Sequence, residues 1–395
     1  MPIEVGCQSL FDRQRKTGST LPWPKNVRFE LNAGRFLTAI PYLSLCTAPR
    51  YEQLAQIPAK NLLPRKFDGT REDQQSTGAT ILLYQISRPH RTPTVLECKV
   101  EIDVPITTNS FETCIDFRLE IGESPVWDPV RSILWFVDIL HPAIYSLDPI
   151  SRTIARYKMP CVVGSIGMAN GGLLVVALRS GIHLFDPATQ RLDFLVHPEP
   201  DMTMNRLNDG KVGPDGCFWV GSMHDAVPRA PSGALHRITP DGRSRKVLDG
   251  LYVSNGLAWS PDGRTMYHAD SRGPFIQAFD FDVATGNISN GRIITLLDET
   301  KGLPDGAAVD QEGTYWSAGV SAGRLNRIAP DGFMLDPVKV PLDAPTMPCF
   351  GGSDLRTLFV TSLSTIASNR TSSGSLISFK VAVPGTPVGQ FGPPG

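Results

Sequence analysis

Asn255-Gly-Leu-Ala-Trp-Ser-Pro-Asp-Gly263 is a short apolar run that ends in a tight turn. Proline fixes φ, aspartate bonds its local backbone and glycine accepts φ > 0, so Pro261, Asp262 and Gly263 predict a hairpin turn. Leu257, Ala258 and Trp259 read as a strand before it. Thr265-Met-Tyr-His-Ala269 and Phe275-Ile-Gln-Ala-Phe-Asp-Phe281 read as two more strands after it. The unit is a meander, and Asn255 stands just ahead of its first strand, at one open end of the sheet.

The same unit recurs on both sides. Glu123-Ser-Pro-Val-Trp-Asp-Pro129 leads into Leu134-Trp-Phe-Val-Asp138. Asn208-Asp-Gly-Lys-Val-Gly-Pro-Asp-Gly216 leads into Cys217-Phe-Trp-Val-Gly221, and Asp305-Gly-Ala-Ala-Val-Asp310 into Thr314-Tyr-Trp-Ser-Ala318. Further copies open at Gly164 and Thr346. The six openings, at 123, 164, 208, 255, 305 and 346, lie 41 to 50 residues apart. Six all-strand units of that length predict a six-bladed β-propeller, an all-β fold, over residues 113–395. Residues 114–120 read as a strand that closes the ring against the C-terminal blade, because such closure removes exposed edges. The tail from 381 onward is rich in Pro and Gly and is expected to be irregular.

The 395 residues carry a net charge of −1, which gives no global field toward nucleic acid or a membrane surface. No apolar run approaches the roughly 18 residues of a membrane span. The start of the chain lacks the charged and apolar regions of a secretory signal. Seven dispersed cysteines without paired spacing read as reduced thiols and point to a cytoplasmic protein, not to a disulfide frame or a zinc site. Residues 1–112 lie outside the repeat and carry no motif with recognisable chemistry. They read as an extension that is a small accessory domain, a disordered segment or the product of a start site upstream of the true one.

In a propeller the innermost strands run parallel around an axial channel, so residues ahead of them ring one mouth. Glu123, Asn208, Asn255 and Asp305 hold that position in blades I, III, IV and V. Each alone reads as a turn or loop residue, since Asn-Gly and Asp-Gly are ordinary turn dipeptides. Pro-Asp-Gly at 214, 240, 261 and 330 is hairpin punctuation, whereas the copy at 304 opens a unit. The shared phase of the four polar residues points to convergence. Carboxylate and amide oxygens suit a hard or borderline divalent ion, and three or so protein ligands leave positions for water and substrate. His183, His236 and His268 fall inside strands and read as structural. No nucleophile elbow or phosphate loop is present.

With these stretches in hand, the sequence resembles the gluconolactonase/regucalcin (senescence-marker-protein) family of six-bladed propellers. The match rests on Gly122-Glu-Ser-Pro-Val-Trp-Asp128, Arg206-Leu-Asn-Asp-Gly-Lys-Val212, Ser254-Asn-Gly-Leu-Ala-Trp259, Leu303-Pro-Asp-Gly306 and the run from Pro345 to Gly352. It covers about 113–395. The resemblance implies one divalent metal ion on Glu123, Asn255 and Asp305, with Ca2+, Zn2+, Mn2+, Mg2+ and Fe2+ all open. It implies substrate contacts from Arg206 and Asn208, with Asp225 or His224 filling a further acidic position. The implied reaction is hydrolysis of a sugar lactone to the aldonic acid, with Asp305 as both ligand and general base. A calcium-binding regulatory propeller without catalysis and a metal-dependent esterase are the alternatives.

Overall fold

The computed structural model describes residues 110–364 and 373–392 in full, and the backbone alone of 79–85 and 94–100. The chain divides into two units, Met1–Pro105 and Ile106–Gly395. In the first, Ala79–Gln85 pairs antiparallel with Thr94–Val100. The three readings of the N-terminal extension otherwise fall outside the described residues.

The second unit is the six-bladed propeller. Blade I is built on the inner strand Gly122–Asp128, blade II on Val163–Met168, blade III on Asn205–Val212, blade IV on Ser254–Trp259, blade V on Pro304–Val309 and blade VI on Pro345–Gly351. Each is a four-stranded antiparallel meander. The inner strands are buried almost throughout, whereas outer strands such as Arg191–Val196 are half exposed. Six apolar clusters occur among the described residues, one at each junction between neighbouring blades. The junction of blades VI and I is as well filled as the rest, with Trp127 stacked on Phe359 at 6.0 Å. The ring is therefore closed by packing as well as by strand pairing.

Closure differs in detail from the sequence expectation. The fourth strand of blade VI is Glu112–Thr113, paired with Ile377 and Ser378. Residues 114–120 do not form the expected strand. Cys114 and Leu119 donate backbone bonds to Leu376 and Gly374, but the segment bends between them and buries Ile115 and Leu119 between blades VI and I. Burying those two side chains takes precedence over continuing the ladder.

The turns behave as their residues dictate. Gly216, Gly242, Gly263 and Gly332, which end four Pro-Asp-Gly triplets, adopt φ of +69° to +87°. In the fifth triplet Pro304, Asp305 and Gly306 begin an inner strand instead, and an added Cβ at Gly306 would lie 2.5 Å from Met347. Three turns are also locked by an indole N–H donating to the aspartate that ends or follows the inner strand: Trp135 to Asp128, Trp219 to Asp215 and Trp316 to Asp310.

The C-terminal tail is irregular, as expected, yet it is tied down across the end of the channel opposite the mouth at which the inner strands begin. Backbone bonds join it to Val309 and Gln311 of blade V, then to Met168 and Asn170 of blade II and Gly216 of blade III. Phe391 is buried between blades II and III. A cavity of about 400 Å3 lies at this end, lined by Val126, Lys211, Val212, Trp259, Phe350 and Val388. At about 1 kcal/mol per backbone bond and a few degrees per kcal/mol, removing residues 382–395 should lower Tm by about 5 °C or more. Calorimetry of the truncated chain checks this; an unchanged Tm would mean the strap contributes nothing. Among the described residues no helix is long and apolar enough to cross a membrane.

Candidate functional site

Every inner strand carries a register shift within its first residues. The shifts fall between Glu123 and Val126, Val163 and Ser165, Leu207 and Gly210, Asn255 and Ala258, Pro304 and Ala307, and Pro345 and Met347. A bulge re-aims the side chains around it and ends regular pairing. Ser124 and Gly256 take positive φ, 48° and 68°, directly after Glu123 and Asn255. The bulges thus set four polar side chains near the axis at one mouth. These side chains lie within the strands, not ahead of them as the sequence suggested.

The other two blades contribute none, for visible reasons. A Cβ at Gly164 would sit 2.4 Å from the carbonyl oxygen of Leu207, so no side chain fits there. Thr346 turns its hydroxyl to the carbonyl of Gly122 at 2.5 Å and to Thr361 at 2.9 Å, tying blade VI to blade I.

Arg206, Asn208, Asn255 and Asp305 form a continuous chain of hydrogen bonds. Arg206 Nη1 donates to Asn208 Oδ1 at 2.7 Å, Asn208 Nδ2 to Asn255 Oδ1 at 2.9 Å, and Asn255 Nδ2 to Asp305 Oδ1 at 2.7 Å. Asn255 Nδ2 also reaches Ser271 Oγ at 2.7 Å. Glu123 Oε2 accepts the backbone N–H of Ser124 at 2.8 Å. Beneath Asn255, His268 bonds Ser254 Oγ at 2.8 Å, and burial pushes it down to about 4, so it stays neutral. His183 and His236 are likewise buried in strands.

Charge at the mouth is unbalanced. Burial first, then the carboxylates of Asp305 and Asp209, raise Glu123 well above the ordinary glutamate range. Burial first, then Asp209, does the same to Asp305. Among the described residues no three His, Cys, Asp or Glu side chains form a cluster that could hold a metal. The donor set here is two carboxylates and an amide. Buried acids that repel one another are stabilised by a multivalent cation, and oxygen donors suit a hard one. Asn255 Oδ1 keeps a second lone pair while it accepts from Asn208. Glu123 and Asp305 therefore supply the anionic donors that suit a divalent ion; Asn255 turns Nδ2 toward Asp305 here and would join them only by turning its Oδ1 to the same side.

Asp225 is engaged by two guanidinium groups. It accepts Arg206 Nε at 3.0 Å and also pairs with Arg179. Burial first, then Arg229, pushes Arg206 down to about 10, which leaves it charged at neutral pH. His224, the other candidate at this position, has a buried Nδ1 without a partner, and its carbonyl receives Arg229.

The sequence reading passed over two residues of this channel. Asp209 accepts the backbone N–H of Leu257 at 3.2 Å through Oδ2, while its buried Oδ1 has no partner. Lys211 Nζ crosses from blade III to blade V and donates to the carbonyl of Ala307 at 2.5 Å. A signal was available: Asp209 and Lys211 are opposite charges two residues apart on a strand otherwise destined for burial, where charges occur only in pairs.

Comparison with known proteins bears on this arrangement. The family model described as the SMP-30/Gluconolactonase/LRE-like region matches residues 121–364. Regucalcin of Xenopus laevis is 36% identical over 256 residues, covering 64% of this chain and 86% of that protein. A 6-deoxy-6-sulfogluconolactonase of Pseudomonas putida is 36% identical over 273 residues, covering 67% and 92%. Among solved structures, a calcium-binding protein, regucalcin, from Agrobacterium tumefaciens superposes with a TM-score of 0.68 at 25% identity, covering 71% of this chain and 96% of the other.

Proposed function

The chain belongs to the SMP-30/Gluconolactonase/LRE-like family, and from that membership we propose that it is a metal-dependent lactonase that hydrolyses an aldonolactone to the aldonic acid. The observation that carries the reading is the meeting of two acids, the buried Glu123 and the half-buried Asp305, with the Asn255 amide at one channel mouth, linked through Asn208 to Arg206. A scaffold has no need to gather repelling carboxylates at considerable desolvation cost. The similarity to a 6-deoxy-6-sulfogluconolactonase supports lactone hydrolysis in particular.

Glu123, Asn255 and Asp305 would hold the divalent ion. Bound there, the ion supplies Lewis acidity toward the lactone carbonyl. Asp305 takes a proton from the attacking water as the new C–O bond forms at the carbonyl carbon. It returns that proton to the ring oxygen when the ester C–O bond breaks. Arg206 and Asn208 orient the sugar hydroxyls, and Asp225 holds Arg206 in place through its Nε.

The second reading, a calcium-binding propeller without catalysis, draws on the relatives named regucalcin. The two separate on one experiment. The protein is stripped with a chelator, reloaded singly with Ca2+, Zn2+, Mn2+ or Mg2+, and assayed against a panel of aldonolactones for acid release. Hydrolysis that depends on added metal is expected. Metal binding by calorimetry with no lactone turned over would favour the second reading.

A further inference from the structure

Resting on the lactonase reading, we propose that the mouth selects a lactone carrying a strongly acidic group, a sulfonate or phosphate, on the substituent remote from the ring carbonyl, and that Arg179, Arg229 and Arg272 receive that group. All three stand on the connection between the second and third strands of a blade, and those connections lie at the ligand-bearing mouth. Arg179 follows Leu174–Leu178 in blade II, and its backbone N–H is tied to the carbonyl of Val162 at 2.9 Å. Arg229 lies between Phe218–His224 and Gly233–Ile238 in blade III, with Nη1 2.6 Å from the carbonyl of His224. Arg272 follows Ser271 in blade IV, the residue whose hydroxyl accepts from Asn255. Three consecutive blades thus place an arginine at the same level of the fold, on the side of the mouth where Arg206 lies half-buried.

The count of charges leaves these cations in excess. Asp225 is the one carboxylate paired with Arg179 and Arg206. Arg229 and Arg272 form no ion pair with a carboxylate among the described residues. Besides burial, the charge that bears on Arg229 is that of Arg272, another cation. Asp270, close in sequence to Arg272, has its carboxylate taken up by the backbone N–H groups of Tyr252, Val253, Arg272 and Gly273. Within the channel a divalent ion would balance Glu123 and Asp305, and Asp209 has Lys211 nearby. Of the four guanidinium groups, Arg179 and Arg206 share Asp225, and Arg229 and Arg272 have no carboxylate partner among the described residues. Like charges gathered without a counter-ion repel, and a neutral sugar would leave that repulsion in place. A tetrahedral oxyanion relieves it and matches the guanidinium fork with paired hydrogen bonds.

The test uses the full chain loaded with metal. Steady-state kcat/KM is measured for glucono-1,5-lactone, its 6-phosphate and its 6-sulfonate at low salt and at about 0.5 M salt. The acidic lactones are expected to be preferred by about tenfold or more at low salt, an effect of the size of one charged hydrogen bond, with the preference shrinking as salt rises. In the double variant R229Q/R272Q the ratio of acidic to neutral kcat/KM should fall by about the same factor. A preference for only one of the two acidic lactones identifies the headgroup and supports the inference. Equal kcat/KM for neutral and acidic lactones overturns it while leaving the lactonase reading intact. If no lactone is turned over, the lactonase reading fails, and calorimetry with 6-phosphogluconate against gluconate decides instead. Tighter binding of 6-phosphogluconate that is lost in R229Q/R272Q supports the anion site, and equal binding removes it.

Discussion

Asp305→Asn should depress kcat by roughly 10²- to 10⁴-fold, the size of effect that follows loss of a general base, and saturating metal should not restore it. The variant is nearly isosteric. Asn255 Nδ2 donates to Asp305 Oδ1 at 2.7 Å, and an amide oxygen can accept the same bond. What is lost is the negative charge and the capacity to take a proton from water. If Asp305 acted only as one ligand among three, raising the metal concentration would refill the site and recover most of the rate. Arg206→Ala should behave differently. Arg206 Nη1 holds Asn208 and its Nε holds Asp225, so the change loosens substrate orientation in ground and transition states alike. KM should rise with kcat little altered. Full metal rescue of Asp305→Asn would remove the proton-transfer role. Wild-type rates in both variants would show that neither Asp305 nor Arg206 belongs to the catalytic site.

Asp305 was identifiable because it broke a pattern. Its Pro-Asp-Gly opens an inner strand where four others make turns, and that difference could be read from its position among the apolar runs alone. Glu123, Asn208 and Asn255 followed from phase, since each precedes an apolar run at the same point of the repeat. Other features left no such mark. Fourth strands such as Ile154–Lys158 and Asn287–Leu296 are largely exposed or half exposed on both faces, so no alternation of polar and apolar residues announces them. The bulges that aim the polar side chains depend on contacts between strands, as at Gly164, where the obstructing atom belongs to Leu207 of the next blade. The strand that closes the ring spans only Glu112 and Thr113, too short for any periodicity, and the apolar residues that drew the expected strand into 114–120 serve packing instead. The arginine rim was hidden for a related reason. Arg179, Arg229 and Arg272 sit in polar connections whose equivalence emerges only when the blades are set side by side.

The double variant E123Q/D305N should make the metal-free protein more stable and abolish its response to metal. Both acids are raised above their ordinary values, chiefly by burial and then by neighbouring carboxylates. A carboxyl group with a raised folded-state pKa binds its proton more tightly folded than unfolded. It therefore costs no stability below the unfolded-state value of about 4, where both states are protonated. It destabilises progressively as pH rises through the folded-state value. The melting temperatures of metal-free wild type and double variant should coincide near pH 4 and separate above it, with the variant higher. Saturating metal reverses the order. The ion binds the folded wild type alone and adds about 2.7 kcal/mol at a hundredfold excess over Kd, while the neutral variant has lost both anionic donors. Because the acids must give up their protons to bind, the wild-type gain from metal should weaken as the pH is lowered. Thermal melts of the two proteins across this pH range, with chelator and with metal, resolve every part of this expectation. A variant that gains as much from metal as wild type, or a gap that does not change with pH, would show that Glu123 and Asp305 do not form the site.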